Sequence, residues 1–188
     1  TELLHAGWAP STVTAELAAR LGIQGVRLLP MTDAPVETWV QLEDADTPRA
    51  WVHFQEYFVH RRTNVAICDV RVQGIAEAPP APGVIEAIER ADLVVVCPSN
   101  PFVSIGPILQ VPGLKDALLG ARQRGTLVAG ISPLIGGATV KGPAARMLSE
   151  LGHEPSAAGV AAVYRDILDA WLIDSIDRGL ADQIAGYG

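Results

Sequence analysis

Apolar positions follow two rhythms along this chain. Over 11–21 they recur at helical spacing, with Val13, Leu17 and Leu21 on one face. Ser11 or Thr12 is placed to cap that helix and Gly22 to stop it. The rhythm then shortens. Runs over 26–30 and 36–40 are rich in β-formers and flank the turn-like Thr32-Asp33-Ala34-Pro35. A polar turn over 43–49 leads to a third candidate strand over 50–53. Phe54, Tyr57, Phe58 and Arg61 share one helical face, which predicts a short helix over 54–62.

After Ile75 strands and helices alternate. A loop over 76–82 precedes a helix over 83–90, and the apolar run over 93–97 reads as a strand buried on both faces. A helix over 114–124, a strand over 126–131, and helices over 143–151 and 157–168 follow. Trp171-Leu172-Ile173 is a short strand before a last helix over 176–185. Such alternation implies parallel βαβ units. The expected fold is therefore α/β: a Rossmann-like parallel sheet flanked by helices, with a small antiparallel β plus helix insertion. By segment, 1–25 is a helical part of the α/β domain, 26–75 the insertion and 76–188 the parallel core.

Charge narrows the partners. Of 188 residues, 21 are acidic and 14 basic, giving a net charge of −7. The lysines are Lys115 and Lys141, and the one dense basic cluster is His60-Arg61-Arg62. A broad basic face for nucleic acid is thus excluded. At 49% apolar and 19% charged residues the chain is not a disordered one. The apolar runs are too short to span a membrane, and no secretory signal pattern occurs, so a cytoplasmic protein is expected. Cys68 and Cys97 lack metal-ligand spacing, and Cys97 reads as a small buried hydrophobe. His5, His53, His60 and His153 form no metal motif, and no serine sits in a GxSxG elbow.

Ligands of open parallel sheets bind beyond the carboxyl ends of the strands, and two unusual loops leave such ends. The first, over 98–107, offers Ser99, Asn100, Pro101, Ser104, Gly106 and Pro107. Its prolines hold hydroxyls, an amide and backbone N–H groups in place, although Pro and Ser also simply make turns. The second, over 132–144, offers Gly136, Gly137, Lys141 and Gly142. Its glycines let a backbone approach an anion; the order GxxxxGK[ST] is absent, so it is not a Walker loop. Lys141 reads equally as a phosphate contact or as a solvated lysine. Trp39, Trp51, Phe54, Tyr57 and Phe58 read as core or as the wall of a site for a flat heterocycle, with Glu56 and Arg61 beside them. Asp33 reads as a turn cap at Met31-Thr32-Asp33, and Asp169, Asp174 and Asp177 as caps and solvated residues. These residues point to an anionic, phosphorylated ligand and name no reaction.

The order of the motifs adds more. Met31-Thr32-Asp33, Phe54-Gln55-Glu56-Tyr57-Phe58-Val59, Ala81-Pro82-Gly83-Val84, Pro98-Ser99-Asn100-Pro101 and Ser104-Ile105-Gly106-Pro107 occur in sequence. So do Val111-Pro112-Gly113-Leu114, Ser132-Pro133, Gly136-Gly137-Ala138, Val140-Lys141-Gly142-Pro143-Ala144 and Ser156-Ala157-Ala158-Gly159-Val160-Ala161. Together they closely resemble the 2-phospho-L-lactate transferase (CofD-like) family. The resemblance implies a step in making the deazaflavin coenzyme F-420. A guanosine-diphosphate-linked three-carbon acid, lactate or an enolpyruvyl group, gives its phosphoryl moiety to the deazaflavin Fo, and GMP leaves. It also implies magnesium and a homodimer. Residue by residue, it puts the donor nucleotide and phosphates on Ser99, Asn100, Pro101, Ser104, Gly106, Pro107, Gly136, Gly137, Lys141 and Gly142. It puts the deazaflavin on Met31, Thr32, Asp33, Glu56, Phe58 and Arg61, and names no catalytic group. The family's opening strand with its Gly-rich phosphate loop, and its Asn-Thr-Gly-Asp-Asp stretch that holds the metal, have no match here. The expectation is a fragment without magnesium ligands, inactive alone. The alternative is a non-catalytic nucleotide-sugar-binding regulator of the related YvcK-like group.

Overall fold

The computed structural model describes residues 2–43, 49–139 and 141–187. Most of the polar turn expected over 43–49, and Val140 of the second loop, lie outside the described residues. The chain opens with α1 (Glu2–His5) and α2 (Pro10–Arg20). Pro10, not Ser11 or Thr12, starts α2. Ser11 instead donates its backbone N–H and hydroxyl to the Asp33 carboxylate, at 2.6 and 2.7 Å. Asp33 therefore ties the turn to the helix rather than capping its own backbone.

An antiparallel sheet follows, formed by β1 (Glu37–Glu43), β2 (Trp51–His53) and β3 (Ala66–Gln73), with β1 central. Alternation builds it: Val40 and Leu42 of β1 are buried with Val52, Ile67 and Val72. The Arg71 guanidinium covers the Trp51 ring, 4.1 Å from its centroid. The strand expected over 26–30 is absent, and β3 takes that place in the sheet. Residues 26–30 find no strand to pair with, and Pro30 can donate nothing to a ladder. The segment after them is tied elsewhere: Ala81 N–H donates to the Met31 carbonyl, and Thr32 bridges Pro80.

The second sheet is parallel. After α3 (Val84–Glu89) come β4 (Leu93–Val96), α4 (Gly106–Gln110), α5 (Leu114–Gln123) and β5 (Leu127–Ile131). A hairpin of β6 (Leu134–Ile135) and β7 (Ala138–Thr139) leads to α6 (Ala144–Glu150) and α7 (Ala157–Tyr164). Then come β8 (Ala170–Leu172), a 3-10 turn over Ser175–Leu180 and α8 (Ala181–Ala185). The sheet order is β4-β5-β8, with β5 central. Trp171 lies against Gly130, where a Cβ would stand 2.5 Å from its ring. Its indole N–H donates to the Ala157 carbonyl at 3.0 Å. One face of the sheet packs Val96 and Val128 against Leu118, Leu148, Tyr164 and Leu168. On the other face Leu93, Val95, Leu127 and Leu172 are 51%, 44%, 48% and 52% exposed. The run over 93–97 is thus covered on one side only, and Cys97 is exposed rather than buried. Its uniform apolar character hid a strand whose alternate residues meet different surroundings.

Candidate functional site

The described residues of both strand-exit loops form local structure. The segment after β4 forms a π-helical turn, Pro101–Ile105, continuous with α4. Asn100 starts it. The Asn100 Oδ1 accepts from the N–H groups of Phe102 and Val103 at 2.9 and 3.3 Å, and its amide nitrogen lies 3.2 Å from the Met147 sulfur. An Asn at a helix start satisfies donors that the helix cannot. The loop after β5 begins with the buried Ser132, whose hydroxyl donates to the Leu134 carbonyl and accepts from the Leu134 N–H. Gly136 and Gly137 then turn the β6–β7 hairpin with φ +59° and +77°. A two-residue turn with both φ positive has the twist a hairpin needs and excludes most side chains.

The two loops face a cavity of about 730 Å³. From the first come Pro98, Ser99, Asn100, Val103 and Ser104; from the second Ser132, Pro133, Ile135, Thr139, Lys141, Gly142 and Pro143. Phe54 and Phe58 complete the lining, stacked at 5.7 Å with their planes 19° apart. Among the described lining residues Lys141 is the only charged one. It makes no ion pair with any described residue, in a chain of net charge −7. The site thus combines a cation, hydroxyls and an aromatic pair in one lining. A second cavity of about 490 Å³, between α7, β8 and α8, touches neither loop.

One core joins these walls. Tyr57, fully buried in the π-helical turn Glu56–His60, packs with Met147 of α6, and Phe102, Val103 and Phe54 pack on that cluster. The Tyr57 hydroxyl has no hydrogen-bond partner among the described residues. Burial pushes its pKa up, the Glu150 carboxylate adds to this, and Arg146 opposes it. Glu150 also accepts from the Ile67 N–H at 3.1 Å, while Arg146 bonds Glu150 and the Thr63 carbonyl. The arginine of α6 is therefore spent on structure.

Of the residues singled out in the sequence, Ser99, Asn100, Ser104, Lys141, Gly142 and Phe58 meet at this cavity. Pro101, Gly106, Pro107, Gly136 and Gly137 shape its walls without lining it. Met31, Thr32 and Asp33 lie outside the lining. Met31 packs on Ala81 and Val84, the buried Thr32 donates to the Pro79 carbonyl, and Asp33 holds Ser11. Glu56 and Arg61 pair with each other at 2.7 Å. Sequence reasoning missed Thr139 and Ile135, although Gly-Gly between short β-prone pairs is a hairpin signal. It also misread Asp177, which is 7% exposed and accepts from the Gly136 N–H through both oxygens, at 3.1 and 2.9 Å. Asp169 is likewise not merely solvated: Arg122 pairs with it at 2.6 Å and it accepts from Val128. The Arg122 hydrogen bond, with help from Val128, holds its carboxyl below the usual range.

Comparison with known proteins bears on the same stretch. The family model of 2-phospho-L-lactate transferase CofD matches residues 1–184. The chain belongs to this family. A phosphoenolpyruvate transferase of Streptomyces griseus is 46% identical over the whole chain, which spans 58% of that protein. A 2-phospho-L-lactate transferase of Methanosarcina barkeri is 37% identical over 98% of the chain and is spanned to 56%. The chain thus spans a little over half the length of these CofD-family relatives. In fold it is similar to protein BH3568 of Bacillus halodurans, with a TM-score of 0.59 at 20% identity, over 92% of this chain and 51% of that one. The resemblance also implies magnesium. Among the described residues no three Asp, Glu, His or Cys side chains come together to hold a metal, and no carboxylate lines the cavity. The donor set does not fit the ion, so no step below runs through it. Among the described residues no helix is long and apolar enough to cross a membrane.

Proposed function

We propose that this chain carries the substrate cavity of a CofD-type transferase in coenzyme F-420 biosynthesis. The donor is a guanosine-diphosphate-linked three-carbon acid and the acceptor is the deazaflavin Fo. The terminal ribityl hydroxyl of Fo attacks the phosphorus carrying the three-carbon acid. That P–O bond forms as the P–O bond to GMP breaks, and the hydroxyl proton passes to solvent. Such a transfer needs positioning and charge neutralisation more than covalent help. The observation that carries this reading is one cavity lined both by Lys141, the only charged residue among its described lining, and by the stacked Phe54 and Phe58. Lys141 would neutralise a phosphate, the hydroxyls of Ser99 and Ser104 would bond phosphate or ribose oxygens, and the phenyl pair would cover the deazaflavin ring. An enolpyruvyl group is favoured over lactyl, because the relatives at 44–46% identity are named phosphoenolpyruvate transferases. The test is calorimetric titration with GDP, followed by Fo in the presence of GDP. Saturable heat for GDP and saturable quenching of Fo emission are expected. A flat GDP titration would sink the donor assignment, and unchanged Fo emission the acceptor assignment.

A further inference from the structure

The β6–β7 hairpin is a wall of the cavity, yet it has only two residue pairs, Leu134 with Thr139 and Ile135 with Ala138. So small a hairpin does not hold itself in water. Its base is anchored: Leu134 is fully buried, and Ser132 clamps both backbone groups of Leu134. Thr139 donates to the Gly142 carbonyl, which ties the hairpin to the segment carrying Lys141. The tip needs its own anchor. Asp177 stands there, on the 3-10 turn that Asp174 caps through the Ile176 N–H. It receives the Gly136 N–H across 41 residues of sequence. No described cation pairs with this buried carboxylate. A buried charge whose recorded contact is one backbone N–H costs free energy. It is a poor device for general stability and a directional one for fixing a single amide.

We propose that Asp177 is a positioning residue for the cavity: by holding Gly136 it sets the hairpin, and through Thr139 and Gly142 the Lys141 ammonium, against the ligand phosphate. The inference rests on the anion-binding reading of the cavity given above. Asp177 touches no ligand itself, since it lies outside the lining.

The test compares wild type, Asp177→Asn and Asp177→Ala, each titrated with GDP, melted, and followed by amide hydrogen exchange at Gly136. Asp177→Asn keeps one acceptor oxygen. The expected result is faster Gly136 exchange and weaker GDP binding in Asp177→Ala, by on the order of tenfold, the size of one charge-assisted hydrogen bond. Asp177→Asn should recover part of both. A variant that melts earlier but binds GDP as wild type does has only a structural aspartate, and overturns the proposal. So does unchanged exchange at Gly136. If Asp177→Ala does not fold, Asp177→Asn decides by the same two readouts. If the wild-type chain itself binds no GDP, the functional reading falls. Positioning is then judged by whether the Thr139 and Lys141 amide resonances move in Asp177→Asn; unmoved resonances overturn it.

Discussion

The two loops that face the cavity are held in different ways. The Pro98–Pro107 loop is fixed by one of its cavity-lining polar side chains: Asn100 Oδ1 accepts from the Phe102 and Val103 N–H groups, and its amide nitrogen meets the Met147 sulfur. Its polar side chain is spent on the fold, and what it presents to the cavity is shape and two serine hydroxyls. The Ser132–Pro143 loop is held at its base by its own buried Ser132 and at its tip from outside, by Asp177. None of these anchors uses Lys141, which pairs with no described residue and so faces a ligand as a cation. A polar residue in a site loop is thus either mortar or reagent, and hydrogen-bond partners tell which.

The contrast can be broken most sharply at Lys141. Lys141→Ala should weaken GDP binding by about 1.5–3 kcal/mol, the range for hydrogen bonds to charged groups. Its unfolding free energy should stay within about 0.5 kcal/mol of wild type, as for other exposed sites. Calorimetry and urea unfolding on one preparation separate the two. Equal affinity would make Lys141 a solvated lysine. Asn100→Ala should do the reverse, costing about 1–2 kcal/mol of stability as a lost helix cap does. A stable Asn100→Ala protein would contradict the description of the first loop. Tyr57→Phe removes a buried hydroxyl that has no partner among the described residues from the core the loops share. It should leave stability equal or raise it by up to about 1 kcal/mol in urea unfolding, since an unmet donor is only a cost.

The smallest effect is expected far from either loop, at Asp169. Its carboxyl is held below the ordinary value, so it binds its proton less readily folded than unfolded. Its contribution is present above about pH 4, the unfolded aspartate value, and is lost as pH falls through the depressed one. Melting curves of wild type and Asp169→Asn should therefore differ at neutral pH and converge as pH falls below 4. A constant gap would assign Asp169 no titrating role.

Much of this fold was legible from periodicity. The helices near 83–90, 114–124 and 143–151, and the three parallel strands, lie where the sequence predicts them. Strand β3 escaped because Ala66–Gln73 breaks the alternation, with Cys68 and Asp69 together between Ile67 and Val70, where a register shift at Gln41–Leu42 interrupts its pairing. The open face of the parallel sheet was illegible for another reason: four apolar residues in a row look the same whether one side or both is covered. At the cavity, residue types pointed to the two loops that line it but not to each residue's allegiance. Asn100 and Lys141 both read as ligand groups, and only their hydrogen bonds separate them. Asp177 was invisible because its partner lies 41 positions away.

Trp171 has an optical consequence. It sits at the seam of β5 and β8, pressed onto Gly130 and bonded to Ala157, whereas Trp51 lies under Arg71 in the other sheet. No tryptophan is among the described lining residues of the cavity. Emission from Trp51 and Trp171 should therefore follow the parting of the two sheets during unfolding, and a Trp171-only variant would watch the parallel seam with little interference from ligand traffic.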